Sequence, residues 1–279
     1  MYSFQAHESY INRLVQSPFN SYVVSSSDDA KVKIWNLDQS WSLIRTYSMH
    51  TNWVDAVKII SKDLIASGSD DNTTQIWSIS TGQTVRTLYT ESQVYSLKLL
   101  SDGTSLAVGL QNGQIKVFNI NNGQLVYSFQ AHASYVFDFA LINPNLLASS
   151  SADQIVRLWN LPTFTCRFNL TGHTDRVRGL KQIGPDLLAS GSWDSTIKLW
   201  NLTNGNLIRT LTGHTNRIHW SVDLMSYGKN NGGLLVSGSM DQTIKVWNWS
   251  TGECLRTINA TDSLIWSLTV VKPKTEKTG

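Results

Sequence analysis

Short apolar runs alternate with turn residues along the whole chain. Between residues 176 and 211 four such runs follow one another: Arg176–Lys181, Leu187–Gly191, Thr196–Trp200 and Leu207–Leu211. Gly184-Pro185, Trp193-Asp194-Ser195 and Thr203-Asn204-Gly205 separate them. Runs of this length, rich in β-branched and apolar residues and bounded by turn formers, predict four strands in one small antiparallel sheet. Such a sheet has two apolar faces and cannot bury both alone.

The pattern then recurs. "YVVSSSDDAKVKIWN" begins at Tyr22, "LIASGSDDNTTQIWS" at Leu64 and "SLAVGLQNGQIKVFN" at Ser105. "LLASSSADQIVRLWN" begins at Leu146, "LLASGSWDSTIKLWN" at Leu187 and "LLVSGSMDQTIKVWN" at Leu234. Each ends in an aromatic anchor: Trp35, Trp77, Phe118, Trp159, Trp200 and Trp247, spaced 42, 41, 41, 41 and 47 residues apart. Sheets repeating at this period bury their faces by stacking around an axis, which predicts an all-β propeller of four-stranded blades.

Composition narrows the chemistry. Hydrophobic residues make up 41% of the 279, enough for a large core, and charged residues only 15%. The pI of about 8.8 comes without a basic run, so no nucleic-acid partner is expected. Cys166 and Cys254 stand far apart, and no His/Cys/Asp spacing suits a metal or cofactor. The sequence contains no apolar run of membrane-spanning length. The expectation is an intracellular protein of the cytoplasm, with the nucleus left open.

With Gly-His or Ala-His, then Ser-Gly-Ser-x-Asp, then a strand ending in Trp, nearly the whole chain resembles the WD40-repeat propellers. The Trp-Asp pair that names the family reads Trp-Asn or Trp-Ser here, and Phe118-Asn119 in the third unit. The resemblance implies a hydrogen-bonded chain in each blade, from turn aspartate through histidine and strand serine to the tryptophan N–H. The matching sets are His7, Ser25, Asp29 and Trp35; His50, Ser67, Asp71 and Trp77; and His132, Ser149, Asp153 and Trp159. Two more are His173, Ser190, Asp194 and Trp200, and His214, Ser237, Asp241 and Trp247. Serine, histidine and aspartate together also suit a hydrolase, but a catalytic triad is needed once, in a cleft. Five periodic copies point to scaffold, and no catalytic residue is expected. Unit three loses the set as a whole, with Thr90 or Glu91, Val108, Asn112 and Phe118 in its place.

The ends predict an incomplete seventh blade beside six complete ones. "YSFQAH" at 2–7 repeats the outer strand at 127–132, and "DSLIWSLTVV" at 262–271 resembles the inner strand "SQVYSLKLL" at 92–100. One domain is expected over residues 1–271, with a partial last repeat at 258–271 and a short basic tail at 272–279. Three readings stay open: a seven-blade ring with a gap, a six-blade ring with overhanging ends, or a piece of a longer product. Unpaired edges also predict self-association. "SYGKNNGG" at 226–233 reads as a surface hairpin.

In WD40 propellers three positions per blade line the top face: three and five residues after the histidine, and one before the turn aspartate. The resemblance therefore implies a partner-binding face of Tyr10, Asn12 and Asp28; Trp53, Asp55 and Asp70; and Tyr95, Tyr135 and Phe137. It continues through Arg176, Arg178 and Trp193; Arg217, His219 and Met240; and Trp266. Aspartates gather on blades one and two, and arginines on blades five and six. The expected function is a non-catalytic scaffold holding a bipolar or phosphorylated peptide or protein on this face. The alternative is a phosphopeptide-reading substrate receptor in a larger signalling or ubiquitin-ligase assembly. An enzyme using the central funnel ranks behind both.

Overall fold

The computed structural model describes residues 5–38, 40–161, 163–226, 233–260 and 264–270. They form six four-stranded antiparallel sheets, each with its strands in sequence order from the axis outward. Blade one holds β1 (Ile11–Gln16), β2 (Tyr22–Ser27), β3 (Val32–Asn36) and β4 (Ser42–Tyr47). Blade two holds β5 (Val54–Ile59), β6 (Leu64–Ser69), β7 (Thr73–Ser78) and β8 (Thr84–Tyr89). Blade three is β9 (Val94–Leu99), β10 (Ser105–Leu110), β11 (Gln114–Asn119) and β12 (Leu125–Gln130). Blade four is β13 (Val136–Asn143), β14 (Leu146–Ser151), β15 (Val156–Asn160) and β16 (Thr165–Leu170). In blade five, β17 (Val177–Gly184) outruns the expected first run, and β18 (Leu187–Ser192), β19 (Ile197–Asn201) and β20 (Leu207–Leu211) follow. Blade six comprises β21 (Ile218–Ser226), β22 (Leu234–Ser239), β23 (Thr243–Asn248) and β24 (Cys254–Asn259).

The core lies between blades. Each of five apolar clusters joins the strands of one blade to those of the next, and Trp77, Phe118, Trp159, Trp200 and Trp247 each sit in the seam with the blade before. A register shift beside each anchor marks a bulge, where the strand turns the large ring into the seam. Second strands are the most enclosed, β2 and β14 being buried throughout, whereas β12 and β24 are largely exposed. At the fifth residue of the second strand the next blade approaches closely. A Cβ on Gly109 would lie 2.8 Å from Val136, and one on Gly191 would lie 2.6 Å from Val222. Blades one and four carry Ser26 and Ser150 there, both buried.

Six blades match the expectation; the seventh has no sheet among the described residues. Residues 264–270 lie between blades six and one, where its inner strand was expected, yet contribute one parallel bridge, Ser267 to Trp220. The Val270 N–H donates to Asp223 Oδ2 at 2.8 Å, and Trp266 packs on Tyr10 at 5.1 Å. The expected outer strand at Tyr2–Phe4, the basic tail and most of the hairpin at 226–233 lie outside the described residues. The described residues contain no helix, and so none long and apolar enough to cross a membrane.

Candidate functional site

The turn between the second and third strands brings each aspartate under the histidine that opens the blade. In blade five His173 Nδ1 is 2.6 Å from Asp194 Oδ2, and His173 Nε2 is 2.8 Å from Ser190 Oγ. Trp200 Nε1 donates to the same Oγ at 2.8 Å. Blades one, two, four and six repeat the chain, with His–Asp distances of 2.8, 2.7, 3.0 and 2.8 Å. Their His–Ser distances are 2.7, 2.8, 2.7 and 2.8 Å. The tryptophan N–H reaches serine in all of them, at Trp35, Trp77, Trp159 and Trp247.

A neutral imidazole completes the chain: Nδ1–H donates to the carboxylate, and Nε2 accepts from the serine, whose oxygen accepts from tryptophan. Burial holds His7, His132 and His214 below the ordinary imidazole range despite their aspartates. Burial pushes Asp71 and Asp241 up, but hydrogen bonds from His50, Thr73, Thr243 and Thr215 prevail and bring both carboxyls down to about 2. The connectivity is that of a hydrolase triad, yet Ser25, Ser67, Ser149, Ser190 and Ser237 are each 0% exposed. Blade three substitutes other bonds: Lys116 Nζ donates to the Thr90 carbonyl at 3.0 Å and to Glu91 at 2.9 Å.

The second constellation crosses the end of the ring where the histidines lie. Arg178 is laid flat among three rings, 3.8 Å from the centroid of Phe137, 4.5 Å from Trp220 and 4.9 Å from Trp193. Arg217 and Arg176 also face Trp193, at 4.3 and 4.8 Å. Trp220 Nε1 and Arg13 Nη2 both donate to the Phe137 carbonyl, at 3.2 and 2.9 Å, so blades one and six meet blade four over the axis. His219 touches Trp220 and Trp266, and both its ring nitrogens are buried without a partner among the described residues. On the facing sector Asn12 donates to Asp28 at 2.7 Å, and Asp55 lies against Asp70. Burial and the Asp70 charge push Asp55 well above the usual carboxylate range; burial also raises Asp28 and Asp70.

The expected face thus divides. Tyr10, Asp28, Trp53, Asp70, Tyr95, Tyr135, Arg176, Trp193, Arg217, Met240 and Trp266 retain exposure, from the open Tyr10 and Trp53 to half-buried rings. Asn12, Asp55, Phe137, Arg178 and His219 are buried, and this corrects their placement on an open surface. The physical reason is that side chains at the start of the inner strands converge on the axis and pack there as a plug. Arg13 and Trp220 belong to this plug and were missed, because neither occupies a periodic rim position. The available signal was the adjacency of Trp220 to His219.

Burial holds His219 well below an imidazole's usual 6.5, with the nearby arginines acting the same way. A depressed folded-state value gives stability that is present above 6.5 and lost as pH falls. Replacing His219 with Leu is therefore expected to flatten the loss of folding stability on acidification from pH 6.5 to 5, read from urea titrations. An unchanged slope would mean that His219 protonates freely in the folded ring.

Stacked four-stranded blades, five of them tied by a buried Asp–His–Ser–Trp chain, define a β-propeller of WD-repeat type. The family described as "WD domain, G-beta repeat" matches residues 1–36, 164–201 and 205–248. The intervening 59–143 match "Anaphase-promoting complex subunit 4 WD40 domain". The chain belongs to the WD40-repeat family, whose propellers bind protein partners and are generally non-catalytic. Among curated relatives, Protein SPA1-RELATED 3 of Arabidopsis thaliana is 38% identical over 96 residues, covering 33% of this chain and 11% of the relative. Nuclear distribution protein nudF of Aspergillus flavus is 37% identical over 68 residues, 24% of this chain and 15% of the relative. Human WD repeat-containing protein 37 is 24% identical over 118 residues, 42% and 24%. The matches thus span at most about a quarter of these relatives' lengths.

Proposed function

We propose that the ring binds a bipolar peptide segment of a protein partner across its histidine end, without catalysis. A lysine or arginine of the segment faces Asp28 and Asp70, and an acidic or phosphorylated residue faces Arg176 and Arg217. The observation that carries this is the acid sector, where the crowded carboxyls of Asp28, Asp55 and Asp70 keep raised affinities for protons even with Asn12 and Arg178 beside them. A cationic group arriving there displaces the proton and relieves the repulsion. Across the aromatic floor, guanidinium groups on Trp193 offer the fork that suits carboxylate or phosphate. Aromatic and arginine side chains are also the residues that dominate binding hot spots.

Asp28→Asn with Asp70→Asn is expected to remove capture of segments anchored by a basic residue, scored on a peptide array. Arg176→Glu with Arg217→Glu should remove those anchored by an acidic or phosphorylated residue. Both should melt close to the unaltered protein, because these side chains are not wholly buried. Lys31→Glu and Lys198→Glu should leave capture intact. Capture that survives both double substitutions places the site on the sides or the opposite end of the ring. The match of residues 59–143, from the end of β5 to the end of β13, to a domain of a multi-subunit complex favours a second reading, in which the ring is the peptide-reading part of a larger assembly.

A further inference from the structure

Below the plug the channel carries more cations than the ring uses. Inner-strand residues Lys58, Lys98 and Lys181 pair across their sheets with Ala66, Ala107 and Ala189, the same position of the repeated second strand. Register therefore sets the three lysines at one level around the axis. At that level blades one and four place Val15 and Ala140, which pair with Val24 and Ala148. Apolar side chains thus suffice there for packing. Lys181 is matched by Asp223 at 2.5 Å, and Arg13, one level nearer the plug, by Asp138 at 3.1 Å. Lys58 and Lys98, on adjacent blades, have neither a hydrogen bond nor an ion pair among the described residues. Both are partly exposed to a cavity of about 190 Å³ that all four cations and both aspartates line.

Ammonium groups held together in a narrow channel repel one another and lose hydration, a cost that Asp138 offsets only in part at Lys98. We propose that Lys58 and Lys98 form the binding site of a compact anion of two or more charges, of the pyrophosphate class, entering from the mouth opposite the plug. The plug closes the histidine end, and the matched pairs Lys181–Asp223 and Arg13–Asp138 hold the other walls. Two ammonium groups on neighbouring blades bridge two phosphoryl groups, whereas a single phosphate engages one lysine fully. Consistent with an unfilled charge site, burial, Lys58 and other nearby cations bring Lys98 down to about 8, and burial lowers Lys58 too. This site is separate from the peptide face and stands or falls independently of it.

Titration calorimetry with pyrophosphate, with orthophosphate, and with sodium chloride at matched ionic strength tests the proposal. Pyrophosphate is expected to bind saturably and to raise the melting temperature, with orthophosphate at least about tenfold weaker. Lys58→Gln with Lys98→Gln should weaken pyrophosphate by about a hundredfold. Without anion this variant should melt no lower than the unaltered protein, because it loses only unpaired charges. Lys31→Gln with Lys198→Gln, outside the channel, should bind as the unaltered protein does. Absence of saturable pyrophosphate binding overturns the site, as does binding undiminished in the Lys58/Lys98 variant. Equal affinity for orthophosphate overturns the two-lysine span.

Discussion

Replacing Trp200 with alanine is expected to cost the fold about 3–5 kcal/mol, the range for deleting a buried large aromatic. The ring is 1% exposed and packs against Leu158, Leu170 and Leu188 in the seam between blades four and five. Trp200→Phe keeps most of that packing but leaves the buried Ser190 oxygen without its N–H donor, so a smaller loss of about 1–3 kcal/mol is expected. Asp194→Ala should fall in the same range, and combining it with Trp200→Phe should cost less than the sum, because both act through one chain of bonds. Urea denaturation followed by circular dichroism measures all four variants. Strict additivity would show that the bonds act separately. A hydrolytic activity lost in Ser190→Ala, with stability unchanged, would overturn the structural role itself.

Arg178→Glu is expected to destabilise the ring severely, by roughly 3–5 kcal/mol, the range for leaving a buried charge unmatched. Arg178 is 8% exposed, and its guanidinium lies over Phe137 and Trp220. A carboxylate there would lose those faces and stand near Asp55, whose charge Arg178 now helps to accommodate. Arg178→Met keeps the apolar stem and adds no negative charge, so a smaller loss is expected. Thermal melts distinguish the two. If Arg178→Glu melts like the unaltered protein, the side chain swings out to the rim and belongs to the ligand face.

The blades were legible because they are periodic. One anchor at Trp35 and its five successors define the repeat, and in each bonded set the serine stands 10 residues before its tryptophan. What escaped was the middle of the ring. Arg178 and His219 stand at rim positions by count, but the inner strands converge, and side chains at their starts meet Phe137, Trp220 and Arg13 over the axis. Contacts between blades one, four and six have no period, so no single-blade pattern contains them. The lysines were legible in principle: Lys58, Lys98 and Lys181 each follow the histidine position (His50, Thr90 and His173) by eight residues. The offset becomes meaningful only when register shows that these positions share a level around one channel.

The fifth residue of each second strand acts as a shim. Gly109 and Gly191 admit the next blade's valine almost to the backbone, while Ser26 and Ser150 place a buried hydroxymethyl group at the same position. Both serine hydroxyls are buried without a partner among the described residues, so no hydrogen bond explains their presence there. A closed circle obliges the angles between successive blades to share one full turn. Thickening a single seam therefore compresses the others or parts the circle where it is most weakly held. In this ring blades six and one are bridged by the span 264–270, which has no sheet of its own among the described residues. As in a masonry arch, the fit of every stone is read at the keystone.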